Sequence, residues 1–186
     1  MRSIVLLLSA IWIAGCSGGT TGREPDEYTG CGSDETWRTF ADQEPLATVS
    51  DAMAPLVTLP AAGATVPSSS PLVVKWQPDP NDVGAPDGNV PHDATSCPEY
   101  NIGAGLQTLH LPPISGDAYD LQFSVGGKVV WRVITTIQEW GATDATLAGW
   151  KGKTVSLKIW RMSVLRNDVK EGPFVGSAPF GFAVGP

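Results

Sequence analysis

The sequence predicts an all-β domain, an antiparallel two-sheet sandwich of six or seven short strands with a long inserted loop. Three observations predict it. Apolar and polar residues alternate over several short runs, the period of two that sends successive side chains to opposite faces of a strand. Glycine and proline, 21 and 16 of the 186 residues, punctuate the chain between those runs. No long stretch has the 3.6-residue period of an amphipathic helix.

The strands follow in order from residue 55 to the end. Val57-Thr58-Leu59 is closed by Pro60 and a turn at Gly63. Leu72, Val74 and Trp76 then alternate with Val73 and Lys75. Tyr119, Leu121, Phe123 and Val125 alternate with Asp120, Gln122 and Ser124, which makes one face buried and one wet. Gly126-Gly127 is a hairpin signal, and its partner strand, Val129 to Thr136, places Val129, Trp131 and Val133 on one face. Thr154 to Val164 turns Val155, Leu157 and Ile159 inward and Ser156 and Lys158 outward. Phe180, Phe182 and Val184 form the last strand. Ser33 caps one helical turn near Trp37 and Phe40, and Asp144 to Trp150 holds one turn at most. Trp76 and Trp131 fall on inward faces, while Trp140 and Trp150 plug the ends of the sandwich.

Two of these segments resemble a known class. Leu59-Pro60-Ala61-Ala62-Gly63-Ala64-Thr65-Val66 followed by Pro71-Leu72-Val73-Val74-Lys75-Trp76 looks like the opening strands of fibronectin type III-like and related immunoglobulin-like modules. Those modules begin with a Pro/Gly turn and carry a tryptophan on the second strand. Leu147 before Thr154-Val155-Ser156-Leu157-Lys158-Ile159 is similar to their later leucine-then-strand segment. The likeness covers roughly residues 56–185 and implies a β-sandwich. It departs from the class in two places. The Thr154–Val164 strand has no tyrosine for a tyrosine corner, and the connection from Gln77 to Asp117 is far longer than the class needs.

The amino end reads differently. Arg2 precedes an apolar run from Ile4 to Ala14, too short for a bilayer core of about 20 residues and of the length of a signal-peptide core. It ends in Ile13-Ala14-Gly15-Cys16, which resembles a bacterial lipobox. The resemblance implies a signal peptide over 1–15, a diacylglycerol on the Cys16 thiol with palmitate as a further acyl chain of the lipidated cysteine, and a lipidated linker over 16–54 leading to a sandwich domain over 55–186. Ser17, where an aspartate favours inner-membrane retention, implies the outer membrane over the inner. Cys31 and Cys97 remain. In an exported chain two such cysteines are expected to pair, closing a loop of about 66 residues and stabilising the fold by roughly 4 kcal/mol.

Charge and motifs narrow the function. The net charge is −7, and loss of the leader removes one base. Such a chain repels nucleic acid, so lipid rather than charge is expected to hold it at a membrane. Gly15-Cys16-Ser17-Gly18-Gly19 fits a nucleophile-elbow formula but lacks the strand and helix that motif needs. Asp79, Asn81, Asp82, Asp87 and Asp93 are oxygen ligands of calcium type, yet Val83 breaks the EF-hand spacing. His92 and His110 stand alone, without a recognisable catalytic partner. Asp117 with Asp120, and Asp168 with Glu171, read as surface charge rather than as the acid pair of a glycosidase.

No enzyme, cofactor or metal site is therefore expected. Trp160 has outward parity, and Val130 and Ile134 share the outward face of their own strand. In one sheet these three make an exposed binding patch, unless the 77–117 loop or the Trp37–Phe40 segment covers it. The expectation is a non-catalytic surface lipoprotein of the cell envelope, a binding or scaffold module for an envelope protein or polysaccharide. The alternative is a carbohydrate-binding accessory module using exposed tryptophans.

Overall fold

The computed structural model describes residues 23–78 and 114–186. The leader, Cys16, Cys97, His92, His110 and the calcium-type residues lie outside the described residues.

The chain is mostly β-strand, arranged in two sheets. The large sheet is built around β6 (Ser115–Val125), β7 (Lys128–Thr135) and β9 (Thr154–Leu165). β6 pairs antiparallel with β7 on one side and along its length with β9 on the other. The far edge of β9 is shared by two shorter strands. β10 (Asp168–Val175) takes its second half and β11 (Phe180–Val184) its first. The small sheet has three antiparallel strands, β3 (Leu56–Leu59), β5 (Val73–Gln77) and β8 (Glu139–Gly141), with β5 in the middle.

The large sheet is not purely antiparallel. Three short strands join it in parallel: β1 (Glu27–Thr29) beside β7, β2 (Thr48–Val49) beside β10, and β4 (Thr65–Val66) beside β11. β1 and β2 come from the stretch read as linker. Its polar composition hid pairing that rests on backbone hydrogen bonds, which every residue type offers. From Arg23 onward, that stretch is part of the fold.

One core lies between the sheets. Leu72, Val74, Trp76 and Trp140 of the small sheet meet Tyr119, Leu121, Phe123, Val133, Val155, Leu157, Ile159 and Phe182 of the large one. The rings of Trp76 and Tyr119 meet edge to face at 5.3 Å. Phe123 packs between Trp140 and Trp150, with ring centroids 4.7 and 5.0 Å away. These two tryptophans are thus core residues around Phe123 rather than plugs at the ends. Trp150 arrives on α2 (Asp144–Trp150), a seven-residue helix longer than the single turn expected. Thr143 caps it by accepting from the Thr146 backbone N–H.

The second face of the large sheet is also buried, against the expected wet face. α1 (Asp34–Gln43) lies over it. Ser33 is its N-cap as predicted, accepting from Thr36 N–H, but the helix runs ten residues instead of one turn. Phe40 descends from α1 onto Ala118, Ile134, Met162 and Val164, with Trp37 and Trp160 at the margin.

Candidate functional site

The three residues expected to form a binding patch do not lie together. Ile134 is fully buried under Phe40. Trp160 keeps its predicted parity on that same face, but is half-buried and packed against the same group. Val130 has left that face. The β6–β7 ladder pairs Phe123 with Trp131 and Ser124 with Val129, so Val130 is the extra residue of a β-bulge. A bulge places two neighbours on nearly one side of the sheet, and Val130 packs with Trp131 against the core between the sheets. Of the two readings of this face, cover by the Trp37–Phe40 segment is the one the structure displays.

Of the paired carboxylates, Asp117 and Asp120 lie elsewhere than expected. Asp120 is buried, and Arg132 reaches it from β7 with Nε at 3.0 and 3.1 Å and Nη2 at 2.5 Å. Gln122 donates to the same carboxylate at 3.0 Å. Burial pushes the Asp120 carboxyl above its usual range, while the bonds from Arg132 and Gln122 pull the other way. Desolvation opposes the Arg132 charge, but the Asp120 bonds outweigh it and the guanidinium pKa is raised. Arg132 also lies 3.6 Å from Glu44 at the end of α1 and donates to the Arg23 carbonyl at 2.9 Å. Its backbone exchanges bonds with Asp26. One arginine thus joins two strands, the end of α1 and the segment entering β1. Both Asp120 oxygens are occupied, so no carboxylate is presented to a substrate there.

Asp117 lies on the opposite face, nearly buried, and accepts from Arg161 Nε at 3.1 Å and from the Tyr119 hydroxyl at 3.3 Å. Burial, with the Asp117 charge adding to it, pushes the Tyr119 phenol far above its usual range, so it stays neutral. Asp168 and Glu171 are exposed on β10, as read. Hairpin register is what hid the buried pair. A plain two-residue Gly126-Gly127 turn sets Asp120 opposite Val133, whereas the bulge moves it opposite Ile134. That shift brings Gln122 opposite Arg132 and leaves Asp120 on the same face as the guanidinium.

Exposed carboxylates behave simply. Asp51 accepts from the Ser177 backbone N–H at 2.7 Å and hydroxyl at 2.8 Å, and these bonds hold its pKa below the ordinary 3.8. A depressed folded-state value contributes stability above pH 3.8 that is lost as pH falls through the folded value. The Asp51 carboxyl, followed by NMR, is expected to titrate with a midpoint under 3.8. Ser177→Ala is expected to move that midpoint partway back.

A concavity next to the aromatic core opens between the β6–β7 hairpin end and α2. It has a volume of about 320 Å³. Val125, Val130, Trp131 and Trp150 line it, with Lys128 and Lys153 at its edge. Gly126 and Gly127, with φ of 58° and 79°, make the tight turn beside it, a conformation that a side chain would disfavour. Lys153 donates to the Gly149 carbonyl at 2.7 Å across the end of α2. The site's second tryptophan is the buried Trp150, held from behind by Phe123. A hollow of about 330 Å³ lies beside β3, between Pro55-Leu56-Val57 and Pro179-Phe180.

Among the described residues no three or more His, Cys, Asp and Glu side chains are arranged to hold a metal ion. Among them, too, no helix is long and apolar enough to cross a membrane. Comparison with known protein families, characterised proteins and solved structures finds no match to this chain.

Proposed function

We propose that this chain is a non-catalytic lipoprotein of the cell envelope, in which a β-sandwich held at the membrane by lipid on Cys16 serves as a binding or scaffold module. The observation that carries this reading is the amino end: a basic residue, a short apolar run and Ile13-Ala14-Gly15-Cys16 in sequence. Two or more acyl chains, each contributing about 0.8 kcal/mol per buried CH₂, suffice for stable anchoring. Ser17 favours the outer membrane. With Cys16 acylated, Cys31 and Cys97 remain to form a disulfide. Cys31 sits where a bridge would brace the entry to α1. Its N–H donates to Thr136 Oγ1 at 2.9 Å, and a Cβ on Gly32 would stand 2.4 Å from the Ile134 carbonyl.

Strand order supports the immunoglobulin-like and fibronectin type III-like reading of the sandwich. In the constant immunoglobulin sandwich one sheet carries strands A, B, E and D and the other C, F and G, with C′ beside C in larger forms; among the described residues no strand stands in for D. Here β3, β5 and β8 take the places of A, B and E. β7, β6 and β9 take those of C′, C and F, and β10 with β11 takes that of G. The core positions of Trp76 on β5 and of Leu147 before β9 support the same reading.

The anchor is tested with Cys16→Ser. The native protein is expected in the membrane pellet and in the detergent phase of a Triton X-114 partition. The variant is expected in the soluble fraction of both. A variant that still pellets, or native protein whose mature amino end carries an unmodified sulfur by mass spectrometry, overturns the lipoprotein reading. The carbohydrate-binding alternative gains one specific support. A half-buried tryptophan, Trp131, borders an open hollow over an aromatic floor, and an aromatic face stacks on a sugar ring.

A further inference from the structure

We infer that the hollow between the β6–β7 hairpin and α2 binds a single acidic sugar ring, a hexuronate of an anionic polysaccharide. This inference deepens the binding-module reading and rests on it. Three observations lead to it. First, the chain carries 19 acidic and 12 basic residues, yet the charged side chains lining this hollow are Lys128 and Lys153, and no acid lines it. Neither lysine takes part in an ion pair among the described residues, where Lys75 pairs with Glu139 and Lys170 with Asp168. Lys153 Nζ gives one of its three donors to the Gly149 carbonyl, so both ammonium groups keep donors for an anionic ligand.

Second, the remainder of the lining is mainly apolar and aromatic. Val125, Val130, Trp131 and Trp150 present hydrocarbon and ring surface. A ligand that satisfies such a wall and two cations together has an apolar face and one negative charge. A hexuronate has both, since its axial C–H bonds make one face apolar and its carboxylate projects from the ring edge. Third, the volume of about 320 Å³ is at the lower end of the roughly 300–1,000 Å³ of small-molecule sites. The hollow is open to solvent at the surface, so one ring enters while its polymer neighbours stay outside.

The protein's overall negative charge does not forbid this. At physiological ionic strength exposed charges are screened beyond about 8 Å, so the two lysines at the site outweigh acids farther off. The aromatic wall is also held by packing. Trp150 is buried against Phe123 and Trp140, and the bulge at Val130 turns Trp131 to the same wall. Little ordering is left to the moment of binding, which reduces its cost.

The test uses the full-length protein in mild detergent and immobilised polygalacturonate, with the fully methyl-esterified polymer as the uncharged control and free galacturonate as a soluble competitor. Native protein is expected to be retained on the acid polymer, at least tenfold less on the ester, and to be released by added salt. Lys128→Glu with Lys153→Glu is expected to abolish retention. Both sites are exposed, so an unchanged circular dichroism spectrum is expected alongside, with a small fall in melting temperature from loss of the Lys153 bond to the Gly149 carbonyl. Trp131→Ala is expected to weaken binding at least tenfold, with Trp131→Phe intermediate. Release by free galacturonate is expected if a single ring is what the hollow reads. Equal retention on the ester, no retention at all, or retention unaffected by the double lysine change overturns the inference. Membrane partitioning of Cys16→Ser is read separately, so failure of the anchor and failure of the sugar site give different results.

Discussion

Arg132→Met is expected to destabilise the domain by about 3–5 kcal/mol, the usual cost of removing one partner from a buried ion pair. In a chain of this size that lowers the melting temperature by roughly 10 °C. The cost arises from what stays behind. Asp120 keeps its place at 1% exposure with Gln122 as its remaining donor, and a buried carboxylate without its cation is a large desolvation penalty. Loss of the guanidinium also frees the Arg23 carbonyl and the Glu44 carboxylate. The deficit carries a sign in pH. Without Arg132 the Asp120 pKa rises further, and an acid whose folded value is raised costs most above that value and nothing once pH is below the unfolded 3.8. The gap between native and variant melting temperatures is therefore expected to narrow as pH falls from 7 toward 4. Arg132→Met combined with Asp120→Leu is expected to recover at least half of the loss, because neither charge is then left alone. A double variant as unstable as the single one would assign the loss to the Arg23 and Glu44 contacts instead.

Phe40→Ala has the second largest expected effect, about 3–5 kcal/mol by the usual cost of truncating a buried phenylalanine. Phe40 is 1% exposed and is the side chain that α1 drives deepest into the second face of the large sheet. Its removal weakens the hold of the helix as well as opening a cavity. The variant is expected to bind a hydrophobic dye where the native protein does not, because Ile134, Met162 and Val164 become reachable. The emission of Trp37 and Trp160 is expected to shift to the red. A variant that loses stability without dye binding would show that α1 stays seated and that the cost is cavity alone.

These two sites also mark where the sequence was and was not readable. The strands around Trp76, Leu121, Val133 and Ile159 were legible because alternation is written in side chains, and each of those residues is in the shared core. The outward parity of Trp160 and Ile134 was legible for the same reason. Cover by the Trp37–Phe40 segment was one of the readings the sequence offered, but the ten-residue helix that supplies it was not legible. α1 buries only Thr36 and Phe40, so its apolar stripe is too thin to stand out among Asp34, Glu35, Arg38 and Asp42. The parallel strands β1, β2 and β4, of two or three residues each, have no room for a pattern at all. Val130 was misplaced because a bulge changes parity without changing composition. The same slip of one residue concealed both the Asp120–Arg132 pair and the wall of the hollow beside Trp131. The amino-terminal motif and the charge balance were the strongest functional signals in the chain, and neither depends on the fold.

Asp26 and β1 have a consequence for height. The chain is fastened to β7 from Asp26 onward, with its Arg23 carbonyl already bound. On the lipoprotein reading about seven residues then separate the acylated sulfur from the first fixed point, a span of at most roughly 25 Å even when fully extended. So anchored, the domain would be moored close against the bilayer rather than floated above it. On that reading a ligand would have to come down to the lipid surface to be met, and a partner confined to more than one domain's width above that plane would be beyond its grasp.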